Sequence, residues 1–513
     1  MYHTALTGAV PVDGPALAGN VPQMRAAWAV ACVAVACSKN AQPPASPSDQ
    51  LPSGVRGAVL QHHNDAARSG VYVDASLTRA AVGRLRQDSA FNAPLQGGVY
   101  AQPLYWDGGD GGQDLLIIAT QRNEVIAFDP LTGARIWSRT LASPAPRSEL
   151  PCGNIDPLGV TGTPVIDPAR KLLFVAAMTS GPRHRVYALS LADGTVSGTP
   201  FDVEASVPGF SSSVQNQRGA LALQGGIVYV PYSGHNGDCG NYSGWVIGFD
   251  TNGSLPAASY RTGHGGGIWS MGGVAAMAGS LFVATGNTIR LSAWNGGEAI
   301  IKLAPGPSFS GATADYYTPS NWLQLDNSDT DIGTAGALPF DVGAAHFVAT
   351  LGKDGRLHLA DRDNLGGIGG GVIAPLRVAN GVVITAPAVI ATPTGTILAF
   401  PANGTGCTGA NGLVALGISA GSPPAVTTAW CAGVSGNGAP IASTTGSGAE
   451  SIVWVVGAGA QGDNQLHAVN AETGEPIFTS AQLGEVMRFN APIAAKGRVY
   501  VAGNAAAYAF TVR

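Results

Sequence analysis

Ten residues of this 513-residue chain have side chains suited to handling a ligand and stand just before short apolar strands. They are Asn154, Asp156, Gln217, Arg218, His264, Trp269, Asp329, Asp331, Arg488 and Asn490. A carboxylate in such a set can take a proton, and an indole can hold a planar ring by stacking. No two types form a sequence-local catalytic motif. There is no G-x-S-x-G elbow, no H-E-x-x-H pair and no phosphate-binding Walker loop, so hydrolase and nucleotide readings have no motif behind them. His62, His63, His235 and His264 are the histidines to consider as metal ligands. Only the first two are close in sequence, and neighbours on a strand point to opposite faces. Any site must be assembled by the fold. Otherwise these groups cap strands and fill a central channel with a satisfied polar network.

The elements that would assemble it are repeats. EVIAFDPLTGARIW from Glu124, VYALSLADGTV from Val186, WVIGFDTNGSL from Trp245, GRLHLADRDNLGG from Gly355 and QLHAVNAETGEPIF from Gln465 share one pattern. Each is an alternating strand, a turn rich in Asp, Thr, Asn and Gly, and a second strand. Weaker copies lie at 299–303, 413–416 and 507–510. The aligned positions, small in every copy but the fourth, are Ala127, Ala188, Gly248, Ile301, Ala360, Ala415, Ala468 and Ala509. A strand opening on small residues and Pro (TGTPVID, TAPAVIA, NAPIAA) and an apolar strand (LLFVAA, IVYVPY, IVWVVG) precede the copies. Four short strands repeated eight times predict an all-β fold, a single eight-bladed β-propeller. The last repeat stops after three strands, and GRLRQDSAF (83–91) is placed to supply the fourth and close the ring. Seven blades is the alternative if one weak copy is not a blade.

Composition agrees. The chain holds 72 Gly and 34 Pro, is 45% hydrophobic and only 12% charged, where roughly 25% is usual. That excludes intrinsic disorder and long charged helices. A net charge of −5 without basic runs argues against nucleic-acid partners. Residues 26–36 form an 11-residue apolar run after Met24-Arg25, too short to span a bilayer. It reads as an export leader within residues 1–37, with Met24 as the expected start. The run ends AVAC before Ser38, similar to a lipoprotein lipobox, which would make Cys37 a lipid anchor; 38–57 would then be a tether and 58–513 the propeller. Four cysteines remain, and an even number in an exported chain predicts disulfides. Placement on consecutive blades favours Cys152–Cys239, and placement on one blade favours Cys407–Cys431. No C-x-x-C or adjacent pair occurs.

The stretch Ala127, Asp129, Thr132, Gly133, Trp137 matches A-x-D-x-x-T-G-x-x-x-W and resembles the tryptophan-docking repeat of pyrroloquinoline quinone (PQQ) propellers. HHNDAARSG from His62 resembles the opening segment of such chains. The whole looks most like secreted bacterial PQQ-like propeller proteins of no assigned activity. GGGIW (265–269) followed by ATGN (284–287) resembles quinoprotein alcohol dehydrogenases. That likeness implies Trp269 under the PQQ ring, Arg218 and Asn490 as further cofactor contacts, Asn287 and Asp331 on calcium, and Asp329 as the catalytic base. The chain departs from that pattern. The adjacent Cys pair is missing, Ser328 replaces the aromatic before Asp329, and Gln215 or Gln217 is the nearest stand-in for the metal-ligating Glu. The leading expectation is therefore a monomeric, exported binding or scaffolding protein of the cell envelope, with an envelope protein or a small molecule at a ring face or channel. Related lipoprotein propellers that assist outer-membrane assembly work without cofactor. The alternatives are a PQQ- and calcium-dependent oxidoreductase of alcohols or sugars and, third, a hydrolase or lyase built on channel His and Asp groups.

Overall fold

The computed structural model describes residues 57–253, 256–409, 411–446 and 448–512. The expected leader, Cys37 and nearly all of the tether lie outside these residues. Within them the strands form eight sheets of at least four strands each. The blades cover 104–140, 165–202, 222–264, 275–318, 338–377, 388–433, 441–479 and 493–511. Every one of the eight aligned positions falls in the third strand of its blade. Second strands such as Ile452–Val456 are buried along their whole length, as a run without polar alternation requires when both faces are covered. Fourth strands such as Arg135–Thr140 keep polar residues exposed.

Adjacent blades are joined by tryptophans. Trp137 Nε1 donates to the Leu191 carbonyl of blade 2 at 2.9 Å, and Trp430 Nε1 donates to Ala471 of blade 7 at 2.8 Å. Each indole lies on the Gly of the next turn. A Cβ on Gly194 would stand 2.5 Å from Trp137, and one on Gly474 2.7 Å from Trp430. Both glycines also hold a positive φ, so no other residue fits there. In blade 8, Arg86–Gln87 and Ala93–Pro94 pair antiparallel with Ala506–Thr511.

The segment from Ala58 to Asp74 runs across the channel edges of the blades. Val59 bridges Tyr105 of blade 1. The carbonyls of Leu60, Ala66, Ser69 and Gly70 accept N–H groups of Ile166, Ala276, Val389 and Ala442, in blades 2, 4, 6 and 7. Val71–Val73 then pairs parallel with Ile441–Thr444. Arg68, fully buried, donates to the carbonyls of Leu221, Val274 and His62 and to Gln61. It ties blades 3 and 4 to the segment. His62 and His63 do not point to opposite faces. Their rings stack at 4.2 Å, because this stretch is a turn and His63 has φ 53°. Both are buried rather than solvent-facing. Burial, first of all, pushes the His63 pKa down to about 4, and burial lowers His62 as well.

Two outcomes follow. Arg68→Met leaves several buried carbonyls unpaired and should lower stability by more than about 3 kcal/mol, read as a fall in Tm. A His held neutral in the folded state and titrating near 6.5 when unfolded favours folding fully above that pH. Stability should therefore fall as pH drops from 6.5 towards 4. In urea titrations His63→Asn, which tolerates the positive φ, should reduce that slope.

Candidate functional site

In an antiparallel blade the connection between strands two and three returns the chain to the face from which strand one started. Lead-in loops and these hairpins therefore meet on one face, and there they enclose a cavity of about 540 Å³. The lead-in loops bring Tyr100, Asn154, Asn216, Arg218, Trp269, Asp329, Asp331, Arg488 and Phe489 to its wall. The hairpins bring His235, Asp238, Tyr242, Asn287 and Lys353.

One wall is built by blades 4 and 5. The helix Trp322–Asn327 delivers the chain to Asp329 and Asp331. Asp331 Oδ1 accepts the backbone N–H of Asn287 at 2.7 Å, while the Asp331 carbonyl accepts the N–H of Lys353 at 2.8 Å. Lys353 Nζ stands 2.7 Å from Asp331 Oδ2 and 2.6 Å from Asp329 Oδ1. It lies 6.0 Å from the Trp269 ring centroid, within cation–π range. A Cβ on Gly286 would meet Asp331 Oδ1 at 2.5 Å and Trp269 Nε1 at 3.3 Å; the glycine lets carboxylate and indole share one wall. Burial opposes the charge of Lys353, yet Asp331 and Asp329 outweigh it and raise its pKa. Burial raises the Asp331 carboxyl, with Lys353 and the Asn287 N–H offsetting only part of that. Behind them Glu298 is fully buried. Its Oε2 accepts the Ile332 N–H, its Oε1 has no partner, and burial followed by Asp331 pushes its pKa well up.

Across the cavity, Arg218 sits between two rings, 4.5 Å from the Tyr100 centroid and 5.6 Å from that of Phe489. It is 9% exposed, and its Nη1 is buried without a partner. Burial brings its pKa down to about 10, which leaves it charged at neutral pH. An unpaired guanidinium in such a position is costly. It is a standing demand for an anion.

Other expected residues lie elsewhere. Asn490 does not reach the cavity; it is fully buried, and its amide donates to the carbonyls of Val99 and Ala101, joining blade 8 to blade 1. Gln217 donates to Gly219, and Gln215 exchanges bonds with Ser233 and Ser243. Neither lines the wall, so neither replaces a metal-ligating Glu. Asn216 between them does, with Oδ1 unpartnered. Asp156 is spent on the Arg147 N–H, and His264 packs on Tyr242 outside the lining. His235 contacts the Ser213 carbonyl; among the described residues the His–carboxylate ion pairs, at 346–363, 358–354 and 467–463, involve no residue of the cavity lining. Among the described residues no three His, Cys, Asp or Glu side chains cluster as a metal site. The sequence reading missed Lys353, Tyr100 and Phe489. The hairpin rule stated above is the signal that finds Lys353.

Both disulfides form, Cys152–Cys239 and Cys407–Cys431. The first ties the lead-in loop holding Asn154 to the hairpin holding Asp238, at the cavity rim.

The architecture and the cavity together allow comparison with known proteins. A family profile described as outer membrane protein assembly factor BamB matches residues 106–230. The solved quinohemoprotein alcohol dehydrogenase of Comamonas testosteroni superposes with a TM-score of 0.60 at 16% identity, over 90% of this chain and 81% of that one. The ADHIIG enzyme of Pseudomonas putida HK5, also a quinohemoprotein alcohol dehydrogenase, gives 0.63 at 14%, over 89% and 80%. A europium-containing methanol dehydrogenase gives 0.60 at 14%, over 88% and 91%. The fold is a PQQ-like β-propeller. No curated protein matches the chain in sequence.

The rim disulfide gives a test. Replacing Cys152 and Cys239 by Ser should speed amide exchange in residues 235–242. Replacing Cys407 and Cys431 should leave that loop unchanged, since this pair lies in blade 6.

Proposed function

We propose that the channel cavity binds a planar, anionic quinone and that the protein is an exported oxidoreductase, rather than a cofactor-free scaffold. The observation that carries this is the convergence of an indole, a carboxylate–ammonium pair and an unpaired guanidinium on one cavity. The scaffold reading calls for an aromatic or apolar patch on a ring face. Among the described residues the exposed large hydrophobics are aliphatic side chains such as Val73, Leu131 and Ile368, so an aromatic patch does not support it. The two disulfides support an oxidising compartment.

The residues present fit such a ligand. Trp269 offers a ring for stacking, Arg218 an unsatisfied cation for a carboxylate, and Gly286 clearance beside the indole. A quinone bound there supplies the acceptor for the electron pair of a substrate C–H bond. The chain's own part is proton handling and orientation. Asp331 is the better proton acceptor. It is buried, with a raised pKa, and so is a stronger base than an ordinary carboxylate. Asp329, whose side chain is 65% exposed, lies largely in water. This moves the role of base from Asp329 to Asp331. Arg218 and Lys353 orient from opposite walls. The calcium that the resemblance implied does not fit as arranged. Lys353 is paired with both carboxylates, and the cavity lining holds no Glu in place of the missing one. No step is derived through that ion.

Titrating the full chain with PQQ should quench tryptophan fluorescence saturably. Trp269→Ala should abolish most of the quenching, and Arg218→Gln should weaken affinity about tenfold or more, the loss of a charge-assisted contact. With alcohols or aldoses and an electron-accepting dye, Asp331→Asn should lose nearly all turnover and Asp329→Asn a small part. Failure of the unsubstituted protein to bind high-micromolar PQQ overturns the reading.

A further inference from the structure

We infer that Lys353 is the resident cation of this pocket, so that an anionic ligand is bound and its carbonyl oxygen polarised without a divalent metal. For the identity of the ligand this rests on the quinone reading; for the cation it rests on the geometry alone.

Three features place the ammonium. The backbone N–H of Lys353 is fixed on the Asp331 carbonyl. Gly352 leaves no freedom beside it, since a Cβ there would stand 2.6 Å from Ile332 Cα and 2.7 Å from the Asp331 carbonyl oxygen. The Nζ then reaches Asp329 Oδ1 at 2.6 Å, the Asp329 carbonyl at 3.2 Å and Asp331 Oδ2 at 2.7 Å. The second Asp331 oxygen is committed to the Asn287 N–H. A hard dication seeks six or more oxygens. Here the two cavity carboxylates of this wall are already engaged by a positive group, and a dication would have to expel it against like-charge repulsion. Asp238, the remaining carboxylate of the lining, accepts the hydroxyl of Tyr242 at the rim.

An ammonium has three donors. Two serve the carboxylates. The third makes only the 3.2 Å contact with the Asp329 carbonyl and is the one to exchange for a ligand oxygen. Lys353 thus supplies the electrophilic pull on that oxygen that a Lewis acid would otherwise provide, and the nearby Trp269 ring favours the same positive charge.

Two measurements on the EDTA-stripped full chain test this. The first uses Tb³⁺ alone, with luminescence sensitised through tryptophan. The unsubstituted protein should show no saturable signal. Lys353→Met, which frees both carboxylates, should gain one, and adding Asp331→Asn should remove it. Lys353→Gln with a checked circular dichroism spectrum repeats the test if the Met variant misfolds. Saturable Tb³⁺ binding by the unsubstituted protein that is lost in Asp331→Asn overturns the inference, as does a folded Lys353 variant that gains nothing. The second measurement is PQQ affinity in EDTA and in Ca²⁺. The unsubstituted protein should bind equally in both, and Lys353→Met should bind only with Ca²⁺, a difference of about tenfold or more. Binding that requires Ca²⁺ in the unsubstituted protein overturns the inference. Absence of PQQ binding in both buffers sinks the quinone reading instead, and the Tb³⁺ result still decides the cation.

Discussion

A ring of sheets leaves a row of backbone donors and acceptors facing its own central hole. Buried backbone groups must find partners, and an unpaired strand edge is a liability. Here the chain itself provides the partners. Residues 58–74 thread the hole and bond to first strands around it. Arg68 adds the carbonyls of Leu221 and Val274, ahead of blades 3 and 4, with one side chain, because a guanidinium can serve several carbonyls at once. Everything else in the molecule depends on that closure. With one part of the hole filled by the chain, the cavity lies where the lead-in loops and hairpins meet.

The contents of the cavity follow from blade connectivity. Each blade sends two connections to that face, a lead-in loop and a hairpin. Blades 4 and 5 place Asn287, Asp331 and Lys353 within hydrogen-bond reach of one another, although none neighbours another in sequence. Blades 1, 3 and 8 place Tyr100, Arg218 and Phe489 in a cation–π stack on the other side. The cavity is therefore polarised. One wall is a cluster of two carboxylates and one ammonium, and the other carries Arg218 between two rings with Arg488 beside it.

The blades were legible in the sequence because their signal is periodic and local: strand alternation, a turn that needs Gly, and a Trp that needs a flat surface. The eight aligned positions fall in eight third strands for that reason. The site was legible only in part. Trp269, Asn287, Asp331 and Arg218 reach the cavity, since short stretches such as GGGIW and ATGN carry them. Asn490 and Gln217 do not, because backbone carbonyls near by claim their amides, and no sequence pattern reports which carbonyl a side chain will meet. Lys353 was overlooked because GKDG reads as an ordinary hairpin turn. Its role exists only once Asp331, on another loop, has been folded against it. The stacked His62 and His63 misled for a related reason: a positive φ at one residue cancels strand alternation.

The first and last parts of the described chain complete one blade. Arg86–Gln87 has no sheet partner until Ala506–Thr511 exists, and Gly497 donates to Asp74 across 423 positions of sequence. The strand at Arg86–Gln87 thus waits for one more than 400 positions later in the sequence. Contacts so distant in sequence slow folding, and the unfinished ring keeps its strand edges open throughout synthesis. The pairing also means that losing the final strand would undo the ring at both ends of the chain at once.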